Sequence, residues 1–139
     1  MADIFLSYAS EDRERIEPLV TILEAAGWTL WWDRDLIAGP SFADKIQENL
    51  DQARCIVVAW SRHSIGSNWC RDEASEGIER NCLVPVLIDD VRPPLGFRSA
   101  QTVFLHGWPH DRDGLDALRE GVSRCLSTRV AVSMPVARS

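Results

Sequence analysis

Cys55-Ile56-Val57-Val58-Ala59-Trp60 (CIVVAW) is apolar at every position, as expected of a central strand in a parallel sheet covered on both faces. On its amino-terminal side, Ser41 opens a predicted helix with Asp44 in capping-box position and a buried stripe of Phe42, Ile46 and Leu50. A loop, residues 34–40, precedes that helix. Before the loop, TLWWD at 29–33 reads as a strand whose period of two puts Trp31 and Asp33 on one face, Leu30 and Trp32 on the other. Further back, Ser10 with Glu11 and Asp12 caps a helix marked by Ile16, Leu19, Val20 and Leu23 and ended by Gly27. Pro18 predicts a kink in that helix or a later start. The apolar run at 4–8 supplies the first strand.

On the carboxyl side of CIVVAW, polar residues 61–68 lead into a third helix carrying Trp69, Cys70, Glu73, Ala74 and Ile78. Residues 82–88 form a fourth strand, which Pro85 places near an edge or at a bulge. Pro93, Pro94 and Gly96 mark a loop, 102–105 a short fifth strand, and Leu115, Leu118, Val122 and Leu126 a final amphipathic helix. Residues 128–139 show no period and read as a tail or linker after a single domain of 1–127. Strands alternating with helices predict an α/β fold: a flavodoxin-like, doubly wound, five-stranded parallel sheet with helices on both faces. In such sheets ligands bind beyond the carboxyl ends of the strands, where strand order reverses. Here that point lies between the first and third strands, beside Ser7, Tyr8, Ser61 and the start of the third helix.

Composition narrows the function. A net charge of -6, one lysine (Lys45) and no arginine cluster argue against a nucleic-acid partner. MADIFLSY has no charged leader followed by a long apolar run, and no stretch approaches the ~20 apolar residues of a membrane span. We therefore expect a soluble, cytoplasmic protein that does not contact membranes. Cys55, Cys70, Cys82 and Cys125 lie at no C-x-x-C spacing, which predicts reduced, mostly buried thiols and neither a zinc site nor a disulfide framework. His106 and His110 have helical metal spacing, but Gly107 and Pro109 between them forbid a regular helix, so no metal is expected. His63 reads as a solvated loop residue. A P-loop lacks its Lys-Ser/Thr, and the acidic pair, phospho-accepting Asp and terminal Lys of a receiver domain are missing. The G-x-S-x-G and G-x-G-x-x-G patterns are absent as well.

What remains is Ser67-Asn68-Trp69-Cys70-Arg71-Asp72-Glu73. Trp69 and Glu73 are four apart and share a helix face, with Glu73 near the amino end, where the helix dipole favours an ionised carboxylate. On spacing alone, a core tryptophan followed by an ordinary first-turn acid is the more common arrangement.

Several separated stretches resemble one family. Residues 3–12 (DIFLSYASED) look like the opening box of TIR (Toll/interleukin receptor) domains, where a strand ends in Ser-Tyr and acids start the next helix. Residues 27–33 with Leu36, Gly39 and Phe42 resemble its second strand and BB loop. Ser67-x-Trp69-x-x-x-Glu73 is similar to the segment holding the glutamate of NAD-cleaving TIR domains, and Leu83-Val84-Pro85-Val86 to the fourth strand. The resemblance covers roughly residues 3–126. It implies Glu73 as the catalytic carboxylate, Trp31 as the aromatic near nicotinamide and Trp69 as an anchor one turn before Glu73. Ser7, Tyr8 and Asp33 would be further substrate contacts. The family's animal enzyme has arginines where this chain has Ala9 and Ser10.

The activity so implied is an NAD+ glycohydrolase or ADP-ribosyl cyclase of the bacterial type, using NAD+ as substrate and no separate cofactor. It would switch on when TIR domains self-associate through the BB loop, here 34–40 from Arg34 to Pro40, in antiviral defence. A fused sensor or effector domain would follow this segment. The alternative within the family is a non-catalytic signalling adaptor built on TIR-TIR contacts. A nucleoside-processing transferase on a similar fold is a third reading.

The chemistry suits the residues. Nicotinamide leaves NAD+ neutral and needs no general acid, unlike the oxygen leaving groups for which most glycosidases use two carboxylates. One ionised carboxylate beside the ribose can stabilise the developing cation, an effect of ~3 to 4 kcal/mol. Trp31, Trp69 and Tyr8 are candidates to stack on the charged pyridinium.

Overall fold

The computed structural model describes residues 2–32, 42–98, 102–105 and 112–138. CIVVAW is strand β3 (Cys55–Trp60), buried at all six positions and flanked on both sides. The other strands are β1 (Ile4–Ser7), β2 (Leu30–Trp31), β4 (Leu83–Leu87) and β5 (Val103–Phe104). All neighbours run parallel in the order β2-β1-β3-β4-β5. This is the expected flavodoxin-like order, with its reversal between β1 and β3. The helices are α1 (Arg13–Ala25), α2 (Phe42–Gln52), α3 (Asn68–Glu79) and α4 (Arg112–Arg138).

Register sorts the side chains. Phe5 lies opposite both Trp31 and Ile56, Ser7 opposite Val58, and Ile56 opposite Leu83. Because successive side chains alternate, Phe5, Ser7, Trp31, Val58, Trp60 and Leu83 share one face. Leu6, Val57 and Val84 share the other. The step from β1 out to β2 and the steps from β2 to β3 and β4 run in opposite directions, so right-handed crossovers put α1 on one face and α2 and α3 on the other. Two glycines let helices approach the sheet closely. A Cβ on Gly77 of α3 would stand 2.9 Å from the Leu83 Cβ, and one on Gly121 of α4 would stand 3.4 Å from a Val84 methyl. Helix α3 therefore covers the Ser7 face and α4 the Leu6 face.

The apolar stripes fall where expected. Ile16, Leu19, Val20 and Leu23 of α1 are buried, as are Ile46 and Leu50 of α2 and Leu115, Leu118, Val122 and Leu126 of α4. Ser41 and the side chain of Phe42 lie outside the described residues. All four cysteines are buried and outside any disulfide. Pro85 sits in β4 at a position the β5 ladder, which joins only Val86 and Leu87, does not reach, in keeping with the tolerance for proline where no ladder bond is lost.

Local detail departs from the sequence reading in three places. Residues 10–12 form a 3-10 turn and α1 begins at Arg13, with Pro18 inside it; the N-cap position falls to Asp12, whose side chain makes no cap bond. The second and fifth strands shorten to two residues each. The backbone of α4 stays helical through Arg138, into the segment read as a tail or linker.

Candidate active site

Ser67 starts the site. Its hydroxyl occupies the N-cap of α3 and accepts the Cys70 backbone N–H at 3.3 Å, satisfying one of the helix's orphan donors. The helix then turns Cys70, Glu73, Ala74 and Gly77 toward the sheet. Cys70 and Ala74 join a small core with Val58, Trp60, Leu87 and Phe97. Glu73, between them, meets the carboxyl end of β1. There Ser7 donates its hydroxyl to Glu73 Oε1 at 2.6 Å. Ser7 is fully buried and Glu73 is 2% exposed. A buried carboxylate is costly unless hydrogen-bonded, and a short O–H···O bond to a charged acceptor is among the stronger ones.

Two expectations for this helix change. Glu73 is not a first-turn acid, since the first turn of α3 holds none. It stands in the second turn, beyond the reach of the terminal dipole, which fades within the first, and the Ser7 hydroxyl meets it there. Trp69 is not a core tryptophan. It is half exposed at 50%, one turn closer than Glu73 to the helix start and so farther out along the carboxyl edge of the sheet.

Trp31 lies on the same sheet face as Ser7 and stacks on Phe5, with ring centroids 5.1 Å apart and planes at 21°. The fold thus joins Ser7 to Glu73 and puts Trp31 on the same sheet face, level with Phe5 and two residues short of Ser7 along the strands. Tyr8 turns elsewhere. Its hydroxyl donates to the Trp32 carbonyl at 2.7 Å, and the Trp32 ring beside it carries the Arg13 guanidinium 4.8 Å from its centroid. Asp33 and the loop 34–40 lie outside the described residues, as do His106 and His110.

A polar network the sequence reading did not assemble occupies the other side of the strand ends. Asp12, 1% exposed, accepts a short hydrogen bond from the Ser61 hydroxyl and another from Arg15 at 3.2 Å. Ser61 Oγ also accepts the backbone N–H groups of His63 and Ser64, and the Ser64 hydroxyl donates to the Ala59 carbonyl. Arg15 reaches on to the Ile88 carbonyl at 2.8 Å and Asp89 at 2.7 Å. These contacts pin α1 and the loop after β3 to the end of β4. In the sequence Asp12 reads only as a capping acid; its partners Ser61 and Asp89 are the ones that closely follow strand ends.

The Arg15 hydrogen bond, helped by the Arg62 backbone N–H, holds the Asp89 carboxyl below its ordinary value against the opposing effect of burial. The Arg15 guanidinium moves up for the same reason, its bond to Asp89. A depressed carboxylate contributes stability above its unfolded value of ~3.9 and loses it as pH falls through the folded value. We therefore expect wild-type stability to fall with acid below about pH 4. Arg15→Met should flatten that limb, measured by urea unfolding from pH 6 to pH 2; parallel curves would show that the pair carries no pH dependence.

A cavity of about 590 Å³ opens at the other, amino-terminal edge of the sheet, lined by Gly77, Asn81, Leu83, Thr102 and residues of α4. Its charged groups Glu120 and Arg124 are paired with each other at 2.7 Å, and neither Ser7 nor Glu73 lines it. Among the described residues no helix is long and apolar enough to cross a membrane, and no His, Cys, Asp and Glu cluster could hold a metal ion.

Fold and site together define a flavodoxin-like α/β domain with a buried, hydroxyl-bound carboxylate at its topological switch point. The TIR domain family model matches residues 4–119, and the chain belongs to that family. Over 73 residues, 51% of this chain, it is 34% identical to the 2' cyclic ADP-D-ribose synthase AbTIR of Acinetobacter baumannii. Over a segment of equal length it is 30% identical to the probable 2' cyclic ADP-D-ribose synthase TcpO of Methanobrevibacter olleyae. Those segments are 27% and 21% of the two relatives, so the chain spans about a quarter of their length. Among solved structures, the TIR domain of the Toll-related receptor TRR-2 from Hydra magnipapillata superposes with a TM-score of 0.74 at 24% identity, covering 91% of this chain and 99% of that one. The C. gigas TIR-STING receptor, in complex with 2',3'-cGAMP, gives 0.73 at 23% identity over 88% of this chain and 40% of its own. These two likenesses establish the fold.

Proposed function

We propose that this TIR domain cleaves the nicotinamide glycosidic bond of NAD+, with Glu73 as the catalytic carboxylate. The observation that carries the reading is the buried Ser7–Glu73 pair at 2.6 Å, on the sheet face that also holds Trp31. A glutamate kept in the interior at the ligand-binding edge of an α/β sheet supports a functional reading over a surface one. The names of the two relatives, both cyclic ADP-D-ribose synthases, support the same chemistry.

In this reaction the C1'–N bond of the nicotinamide ribose breaks and its electron pair leaves with neutral nicotinamide. Positive charge gathers on the ribose, and the Glu73 carboxylate stabilises it. Water attacking C1' gives ADP-ribose; a ribose hydroxyl elsewhere in the molecule gives a cyclic isomer. The attacking group's proton passes to the carboxylate or to solvent. Trp31 and Trp69 offer faces for the cationic pyridinium, a contact that favours charged reactant over neutral product. Asp33 remains a further candidate contact, whereas the Tyr8 hydroxyl is held by the Trp32 carbonyl.

Activity would depend on association of TIR domains, with loop 34–40 reaching a neighbour, and the setting would be cytoplasmic antiviral defence. The test is nicotinamide release from NAD+ by concentrated or artificially clustered protein. Release is the expected result; NAD+ left intact by demonstrable oligomers would make the chain a non-catalytic adaptor, and turnover of nucleosides in preference to NAD+ would make it a nucleoside-processing enzyme.

A further inference from the structure

The resemblance gives Ser7 to the substrate, but its hydroxyl is already committed. It donates to Glu73 Oε1 at 2.6 Å across 66 residues of sequence, with Ser7 fully buried and Glu73 nearly so. We propose that Ser7 is a positioning residue that holds the Glu73 carboxylate in its working orientation, and not a substrate contact. This inference rests on the proposed NAD+ cleavage.

Three features support it. The base is rigid: β1 lies between β2 and β3, and Ser7 is in register with Val58 of a fully buried strand. The group it holds is flexible, because a glutamate side chain has three rotatable bonds and a substantial rotamer entropy. The geometry is economical. A serine hydroxyl on the last residue of a central strand reaches a carboxylate in the second turn of α3, a helix seated close to the sheet at Gly77 against Leu83. A donor to one carboxylate oxygen limits rotation of the whole group and excludes water from that side. Reacting groups misplaced by about 1 Å can cost about 100-fold in rate, so a carboxylate that must meet a short-lived ribosyl cation gains from such a tether.

The experiment measures NAD+ turnover by the clustered full chain for wild type, Ser7→Ala, Ser7→Thr and Ser7→Cys, with near-ultraviolet circular dichroism to confirm folding. We expect Ser7→Ala to lower kcat about 10- to 50-fold, a fraction of what misplacement can cost, with KM within about two-fold. Ser7→Thr, which keeps the hydroxyl, should recover most of the loss. In a Glu73→Gln background Ser7→Ala should reduce the residual rate no further. A raised KM with unchanged kcat would return Ser7 to the substrate and overturn the inference, and so would unchanged kinetics in folded Ser7→Ala. If Ser7→Ala does not fold, the near-isosteric Ser7→Cys, with its weak donor, carries the same comparison. An inactive wild type would overturn the proposed function itself, an outcome distinct from an active wild type indifferent to Ser7.

Discussion

Glu73→Gln is expected to reduce NAD+ turnover at least 100-fold, the scale on which loss of one preorganised electrostatic group acts, while leaving the domain folded. Glutamine has the same shape as glutamate, and its carbonyl oxygen can still accept the Ser7 hydroxyl now held at 2.6 Å. The fold loses little. What disappears is the negative charge opposite the developing ribosyl cation, and with a neutral leaving group no second acid or base is there to compensate. Folding is checked by thermal unfolding, turnover by nicotinamide release from clustered protein. Full activity in a folded Glu73→Gln protein would remove Glu73 from the mechanism, and the Ser7–Glu73 pair would then be a structural contact only.

The largest stability effect is expected at Asp12. Asp12→Ala should cost about 2 to 3 kcal/mol, because it leaves the buried Ser61 hydroxyl without its main acceptor. The ion pair to Arg15 adds little, since the Arg15 side chain is 37% exposed and a solvent-screened pair is worth at most ~1 kcal/mol. For a domain of this size the loss corresponds to a fall in Tm of roughly 6–12 °C, readable by calorimetry. Asp12→Asn, which keeps an acceptor, should retain most of that stability. A change of under about 2 °C in Asp12→Ala would show that the Asp12–Ser61–Ser64 cluster does not hold the strand ends together.

The two carboxylates were not equally legible in the sequence. Glu73 could be singled out because its partner in the pattern, Trp69, lies one helical turn away and helix spacing is local. Asp12 could not, because helix-starting acids are common and its partner Ser61 is 49 residues distant. Glu73 stands in the second turn of α3 because the Ser67 cap, and not the apolar period, sets where that helix begins. Tyr8 and Ser7 are adjacent in a motif, yet their side chains emerge on opposite sides of the chain, one hydroxyl bound to Trp32 and the other to Glu73.

The alternation of apolar runs and amphipathic stripes, with CIVVAW at its centre, was sufficient by itself to specify the α/β class, the parallel sheet and the edge at which a ligand would bind. Those features follow from the periods of strand and helix, which act over a few residues. Only the tertiary structure decided that Ser7 serves Glu73, that Trp69 stands at the rim and that Asp12 joins Ser61. Each depends on register and on how closely α1 and α3 seat against the sheet, and a shift of one residue in any strand would turn these side chains to the opposite face.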